Sequence, residues 1–131
     1  MGDNRRSETD VYRFLYNNID TIPHLEALLQ LWHSRPRKWV SRELAARLFV
    51  NESILKKIIR DLEQLQLAAS TAEGEPLYWY ASRSTETDEL IDAVAKTYQL
   101  HLVEVTVAIH SKASSGAREF GRAFKLRKEG N

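Results

Sequence analysis

One stripe of apolar residues constrains the fold of this chain more than any other feature. The stripe advances in steps of three and four and consists of Leu55, Ile58, Ile59, Leu62 and Leu65. This spacing puts the five side chains on one face of an α-helix. Asn51 precedes the stripe and can accept a hydrogen bond from the first turn. The sequence therefore predicts a helix over residues 51–65 that packs through one face.

The length and composition of the chain fit one folded domain with extensions. Compact domains usually hold about 100–150 residues, and this chain has 131, of which 43% are hydrophobic and 28% charged. It has no cysteine, which excludes disulfides, thiolate zinc sites and a cysteine nucleophile. A reducing, cytoplasmic setting fits that composition.

No segment of the sequence resembles an export signal or a membrane helix. Residues 1–10 are polar and charged, so they lack the apolar core of a secretory signal and are interpreted as a flexible arm. No run approaches the roughly 18 apolar residues that a membrane helix needs. We therefore expect a soluble protein with no membrane partner.

Three helices are predicted ahead of residue 51. The first follows an apolar repeat over residues 11–19. The second is capped by Thr21 and ends near Ser34, because a proline follows two residues later. The third covers residues 41–48 and is capped by Ser41.

A β-hairpin is predicted over residues 67–81. Its five-residue turn contains Gly74, and its second strand is rich in aromatic residues. Alternation along that strand places Leu77 and Trp79 toward the core and the two tyrosines outward. The alternative is that the aromatic residues form a stacking platform for the bases of a single strand.

The segment over residues 85–112 is predicted as one long helix, because it contains neither glycine nor proline. Its apolar stripe continues from Ile91 to Ile109. A strand over residues 100–109 is the alternative, since β-branched residues partly alternate there.

The second half of this helix carries apolar residues on two faces, so both faces must be covered. One stripe contains Leu102, Val105 and Ile109, and the other contains Leu100, Val103 and Val107. A second copy of the chain is expected to cover one face and form a homodimer. The predicted dimer interface consists of Tyr98, Leu102, Val105 and Ile109. The alternative is that residues 11–34 cover both faces within one chain.

Residues 117–128 are predicted to form a short basic amphipathic helix, with Phe120 and Phe124 four positions apart. Three roles are open for it. The phenylalanines can pack on the core, the basic residues can contact DNA phosphates, or the helix can bind a partner.

The order of helices and hairpin gives a winged helix-turn-helix arrangement, and residues 41–67 resemble the MarR-like bacterial transcriptional regulators. Residues 43–48 stand in the first helix of that motif, Val50 and Asn51 in the turn, and residues 55–65 in the recognition helix. The resemblance implies a mainly α fold with a small β-hairpin. We expect residues 11–82 to form the winged helix-turn-helix domain, including an added N-terminal helix, and the long C-terminal helix over residues 85–112 to follow it.

The chain departs from this family at two positions. Phe49 in the turn and Gln66 after the recognition helix stand where the family usually has glycine. Phe49 implies a turn that avoids positive φ or accepts strain, and its ring can be buried. Gln66 weakens the usual C-cap of the recognition helix.

The resemblance implies a transcriptional regulator that binds double-stranded DNA as a homodimer, with the recognition helix in the major groove. Eight residues have side chains suited to base edges or phosphates. They are Arg37, Lys38, Arg42, Asn51, Ser53, Lys56, Lys57 and Arg60. The alternative is that they form an ordinary solvated face.

Charge is distributed unevenly along the chain, although its net charge is only +1. Residues 21–66 and 113–131 each carry a net +3, whereas residues 67–82 and 83–112 each carry −2. Glu73 and Glu75 at the tip of the hairpin would repel phosphates. They favour the alternative function, a winged-helix adaptor that binds a protein partner and no DNA.

Enzymatic, metal and cofactor sites are not predicted. The four histidines are scattered, and only His101 with Glu104 has the spacing of a ligand pair. The five glycines form no phosphate-binding loop, and no nucleophile elbow is present. We therefore expect no enzyme activity, no metal and no cofactor.

Overall fold

The first helix begins earlier than the sequence predicted. The computed structural model describes residues 7–111, and α1 spans Glu8–Asn18. The hydroxyl of Ser7 accepts a hydrogen bond from the backbone N–H of Asp10 at 3.2 Å and caps the helix. The boundary of the predicted arm at residue 10 is therefore wrong. Residues 1–6 of that arm, and the predicted helix over residues 117–128, lie outside the described residues.

The second helix, α2 (Ile22–His33), runs through the middle of the core. Thr21 caps it through a hydrogen bond from His24 N to Thr21 Oγ1 at 3.3 Å, and it ends at Ser34 as predicted. Its core-facing side chains are completely or almost completely buried. They are Leu25, Ala27, Leu28, Leu29, Leu31 and Trp32.

The third and fourth helices, α3 (Ser41–Leu48) and α4 (Glu52–Gln64), form the helix-turn-helix. Asn51 Oδ1 accepts from Ile54 N at 2.8 Å, so the predicted cap of α4 is confirmed. The prediction that Ser41 caps α3 is wrong, because Ser41 is already helical and its hydroxyl donates to Glu52 Oε1 at 3.0 Å.

The two positions where the MarR-like pattern has glycine adopt positive φ angles in this chain. Phe49 has φ 59° and ψ 40° at the C-terminus of α3, and Gln66 has φ 62° after α4. Both positions therefore adopt a left-handed conformation without glycine, at the cost of strain. The ring of Phe49 is 93% exposed, so burial does not offset that strain.

A three-stranded antiparallel sheet replaces the simple predicted hairpin. Strands β2 (Ala68–Ser70) and β3 (Leu77–Tyr80) form the hairpin, and β1 (Trp39–Val40) pairs with the other edge of β3. The backbone N–H of Ser41 also donates to Pro76 O at 3.1 Å. Strand β1 thus holds the start of α3 beside the hairpin.

The two faces of β3 are opposite to the prediction. Tyr78 is only 5% exposed and pairs with the buried Trp39, whereas Trp79 is half-buried on the other face. Tyr80 shares the inner face, where its ring meets Trp32 edge-on at 5.1 Å between centroids. The residue opposite Tyr80 is Ala68, whose small side chain leaves room for that ring.

The predicted long helix is divided into two. Helix α5 spans Thr85–Leu100, and α6 covers the described residues 102–111. His101 interrupts the helix with φ −131° and ψ 53°. The interruption lets the second segment bury Val105 and Ile109, which are 0% and 1% exposed. The strand alternative over residues 100–109 is wrong as well, because these residues are helical apart from His101.

Candidate nucleic-acid interface

The outer face of α4 is largely polar and basic, because four of the five apolar residues of the helix point the other way and only Ile54, which is 47% exposed, does not. Leu55, Ile58, Ile59 and Leu62 are at most 3% exposed. Four of the predicted DNA-binding residues are exposed on the rest of the helix surface: Ser53, Lys56, Lys57 and Arg60. Positions 53, 56, 57 and 60 lie on one face at helical spacing. The structure therefore brings these four side chains together on one exposed surface.

Two cations of this face, Lys56 and Arg60, lie one helical turn apart and have no ion pair within residues 7–111. Lys57 is different, because its Nζ lies 3.3 Å from Asp61 Oδ2. Asn51 also has a structural task, since its side-chain oxygen caps α4. Its amide N–H groups are still able to donate to a base or phosphate.

Arg42, at the start of α3, is held by the hairpin. Its Nη1 donates to Glu75 Oε2 at 2.5 Å, and the two side chains are 66% and 55% exposed. Glu75 therefore does not stand free as a negative charge at the wing tip. The other acid of the tip, Glu73, is exposed and has no ion pair among the described residues.

The two basic residues ahead of β1 rest on aromatic rings. The guanidinium of Arg37 lies 3.6 Å from the centroid of Trp39 and donates to Glu43 Oε1 at 3.1 Å. The ammonium of Lys38 lies 4.5 Å from the centroid of Trp79. Each cation is thus in cation–π contact with a ring, which gives Trp79 a role that does not require base stacking.

A histidine–carboxylate cluster that no sequence pattern predicts joins α4 to the start of α2. His24 is buried, and its Nε2 lies 2.8 Å from Asp61 Oδ2. The hydrogen bond from His24, together with Lys57, lowers the pKa of the Asp61 carboxyl below its ordinary value. No local spacing signals this cluster, because its partners are 37 positions apart.

The same cluster is the one group in the described part of the chain with the composition of a metal site. Ligand atoms of Asp20, His24 and Asp61 all lie within 4.8 Å of one another. Both ring nitrogens of His24 already have hydrogen-bond partners, because Nδ1 lies 2.7 Å from Thr21 Oγ1. The geometry is therefore that of a hydrogen-bonded link between two helices.

The predicted dimer residues are divided between the core and the surface. Val105 and Ile109 belong to the core of the chain itself and have no surface left for a partner. Leu102 is 53% exposed, and Tyr98 is half-buried, with its hydroxyl donating to Glu26 Oε2 at 2.7 Å. The exposed apolar face of this region consists of Leu100, Leu102, Val103 and Val107.

A cleft of about 400 Å³ lies between α2 and α5, near Tyr98 and Leu102. Its walls are mixed, with leucine and alanine beside Glu26, Gln30 and His33. Burial, and then the hydrogen bond to Glu26, raise the pKa of Tyr98 to about 12. The hydroxyl therefore stays protonated at neutral pH and remains a donor to Glu26.

Comparison with solved structures identifies the fold. No protein-family model matches the sequence, and no curated protein matches it either. The crystal structure of the Staphylococcus aureus MepR–DNA complex is similar with a TM-score of 0.55 and 15% identity, over 84% of this chain and 90% of that one.

Two further structures agree with that comparison. MepR, a transcription regulator of the Staphylococcus aureus multidrug efflux pump MepA, matches with a TM-score of 0.54 and 13% identity, over 93% of this chain and 88% of that one. Transcriptional regulator Tm0710 from Thermotoga maritima matches with a TM-score of 0.51 and 16% identity, over 93% and 85%. The predicted MarR-like winged-helix fold is confirmed.

Among residues 7–111, no helix combines the length and the apolar character that a membrane span needs.

Proposed function

We propose that this chain is a DNA-binding transcriptional regulator whose helix α4 enters the major groove of double-stranded DNA. The observation that carries the proposal is the exposed basic face of α4, where Lys56 and Arg60 have no carboxylate partner within the described residues. In a winged-helix domain this helix contacts base edges through its N-terminal residues. The similarity to a MepR–DNA complex supports the same use of the fold.

The proposal gives the eight candidate residues two kinds of role. Asn51 and Ser53, at the start of α4, are suited to hydrogen bonds with base edges. The three cations of α4 and the three cations ahead of them are suited to phosphates, which fix the register of a protein on DNA without reading its sequence. These six are Arg37, Lys38, Arg42, Lys56, Lys57 and Arg60.

We further propose that the regulator is a homodimer that forms through the exposed apolar face of α5 and α6. Leu100 and Val103 are 75% and 68% exposed, and a second copy would remove this apolar surface from water. A two-fold dimer also presents two recognition helices to half-sites about 34–36 Å apart. Because such a regulator acts on the chromosome, the proposal assigns it to the cytoplasm.

A second function is favoured by one specific observation. Three of the six candidate phosphate-binding cations are already paired with carboxylates, namely Arg37 with Glu43, Arg42 with Glu75 and Lys57 with Asp61. A winged-helix adaptor that binds a protein partner has no need of free cations on this face. It is the alternative that a DNA-binding experiment must exclude.

The experiment compares the wild type with the triple variant Lys56→Ala, Lys57→Ala, Arg60→Ala on a random-sequence duplex at low salt. Removal of three cationic side chains is expected to weaken binding by at least about tenfold. Lys96→Ala is the matched control, because Lys96 is an exposed cation on α5, 2.9 Å from Asp92, away from the proposed interface. Equal affinities of the triple variant and the wild type would overturn the role of α4.

A further inference from the structure

The tip of the wing is tied to the start of α3, the part of a helix-turn-helix that crosses the DNA backbone. Glu75 and Arg42 are 33 positions apart in the sequence, yet their side chains form a direct ion pair. The backbone supports this contact, since Val40 pairs with Leu77 and Ser41 N donates to Pro76 O. The pairing of the strands therefore places the side chain of Glu75 next to that of Arg42.

A phosphate and the carboxylate of Glu75 compete for the same guanidinium N–H groups. Both are anionic oxygen acceptors that arginine binds through charge-assisted hydrogen bonds. Both partners of the ion pair are more than half exposed, so a phosphate can reach Arg42. A free counterion leaves when phosphate binds, but Glu75 is covalently held next to β3 and stays beside the incoming negative charge.

We propose that Glu75 is an internal competitor for the phosphate site of Arg42, and that it restrains binding to DNA held through backbone contacts alone. The inference rests on the proposed function. Contacts that read no sequence supply the affinity for random DNA. A carboxylate that closes one of these sites lowers that affinity and leaves the base-reading start of α4 unchanged.

The wing tip provides its own control for this idea. Glu73 is exposed, lies two positions from Glu75 and has no ion pair within the described residues. Glu73→Gln and Glu75→Gln remove the same charge from the same turn. Only Glu75→Gln also releases Arg42.

The test measures binding of a random-sequence duplex by fluorescence anisotropy over a series of salt concentrations. We expect Glu75→Gln to bind at least about threefold more tightly than the wild type at low salt, with a salt slope steeper by about 0.9, which corresponds to one additional phosphate contact. Glu73→Gln is expected to change the affinity less than about twofold. In an Arg42→Gln background, the gain from Glu75→Gln should disappear.

Each other outcome decides against the inference. Equal gains from the two glutamine variants, or a gain that persists without Arg42, would reduce the effect to general charge repulsion. An unchanged affinity of Glu75→Gln would also overturn it. Failure of the wild type and of Glu75→Gln to bind DNA at low salt would contradict the proposed function as well. Exposed ion pairs contribute little to stability, so the variants are expected to fold, and their thermal melting verifies this.

Discussion

Phe49 occupies a left-handed backbone conformation with its ring in solvent. A left-handed conformation costs a residue with a Cβ roughly 1–2 kcal/mol, and the 93% exposed ring contributes almost no burial in return. The angles of Phe49, φ 59° and ψ 40°, are those that glycine adopts easily. The turn is therefore held in place by the two helices that it joins.

Replacement of Phe49 by glycine should stabilise the protein. We expect Phe49→Gly to raise the free energy of unfolding by about 0.5–1 kcal/mol, because relief of strain exceeds the extra chain entropy of glycine. Urea unfolding measures this change. Phe49→Ala is the matched control, since it removes the ring and keeps the strain, and it should give no gain. Equal stabilisation by both variants would show that the exposed ring is the cause.

The charge of Asp61 should make stability depend on pH in the acid range. The pKa of Asp61 is lowered in the folded chain, and the hydrogen bond from His24 is the largest cause. Its contribution to stability is therefore complete above the ordinary value of 3.8 and is lost as pH falls through the lowered value. We expect the difference in unfolding free energy between the wild type and Asp61→Asn to shrink on acidification, measured by urea unfolding between about pH 2 and 6.

An aspartate in an exposed ion pair on α5 serves as the comparison for Asp61. Asp92 and Lys96 form an i,i+4 pair at 2.9 Å on α5. Pairs of this type contribute about 0.3–0.5 kcal/mol, so Asp92→Asn should change stability little at any pH. A difference between the wild type and Asp61→Asn that stays constant down to about pH 2 would contradict the account of Asp61.

At the scale of elements, sequence patterns predicted the helix boundaries and caps that depend on residues close together in the sequence. The helices α2, α3 and α4 were predicted within one or two residues of their ends, because apolar spacing and the capping side chains of Thr21 and Asn51 are local signals. Strand β1 was missed, because two residues are too few for an alternating pattern. Its pairing with β3, which sets Trp39 opposite Tyr78, depends on tertiary structure.

The break at His101 could not be predicted, because neither glycine nor proline marks it. It decides which apolar stripe of the last helix is buried. The sequence showed two stripes, and the structure buries Val105 and Ile109 while exposing Val103 and Val107. The dimer surface is therefore proposed on Val103 and Val107 instead of Val105 and Ile109. The prediction that this segment has two apolar faces is unchanged.

The exposed stripe of α6 gives a direct test of the proposed dimer. Val103→Asp combined with Val107→Asp would place two charges in an apolar interface, where unpaired charges are costly. We expect the variant to sediment as a monomer at concentrations where the wild type sediments as a dimer. The control is Glu104→Gln, an exposed change between the two valines. Identical sedimentation of the wild type and the double variant would contradict this interface.

At the scale of the whole molecule, the ion pairs within the chain determine which of its charges are available to the proposed DNA interface. The net charge is +1, and acidic residues of α3, α4 and the wing neutralise Arg37, Lys57 and Arg42. The basic residues that the sequence suggested for the proposed interface are exposed in the structure. The sequence could not reveal their carboxylate partners, since Arg42 and Glu75 meet only through the sheet.

The salt dependence of DNA binding by the wild type tests the central claim most directly. Binding of a random-sequence duplex should weaken steeply with salt. In the variant without Lys56, Lys57 and Arg60, the slope of log K against log salt should be shallower by about 0.9 for each phosphate that is no longer neutralised. A wild type that binds duplex DNA with the same slope as this variant would contradict the account. So would a wild type that does not bind duplex DNA at low salt.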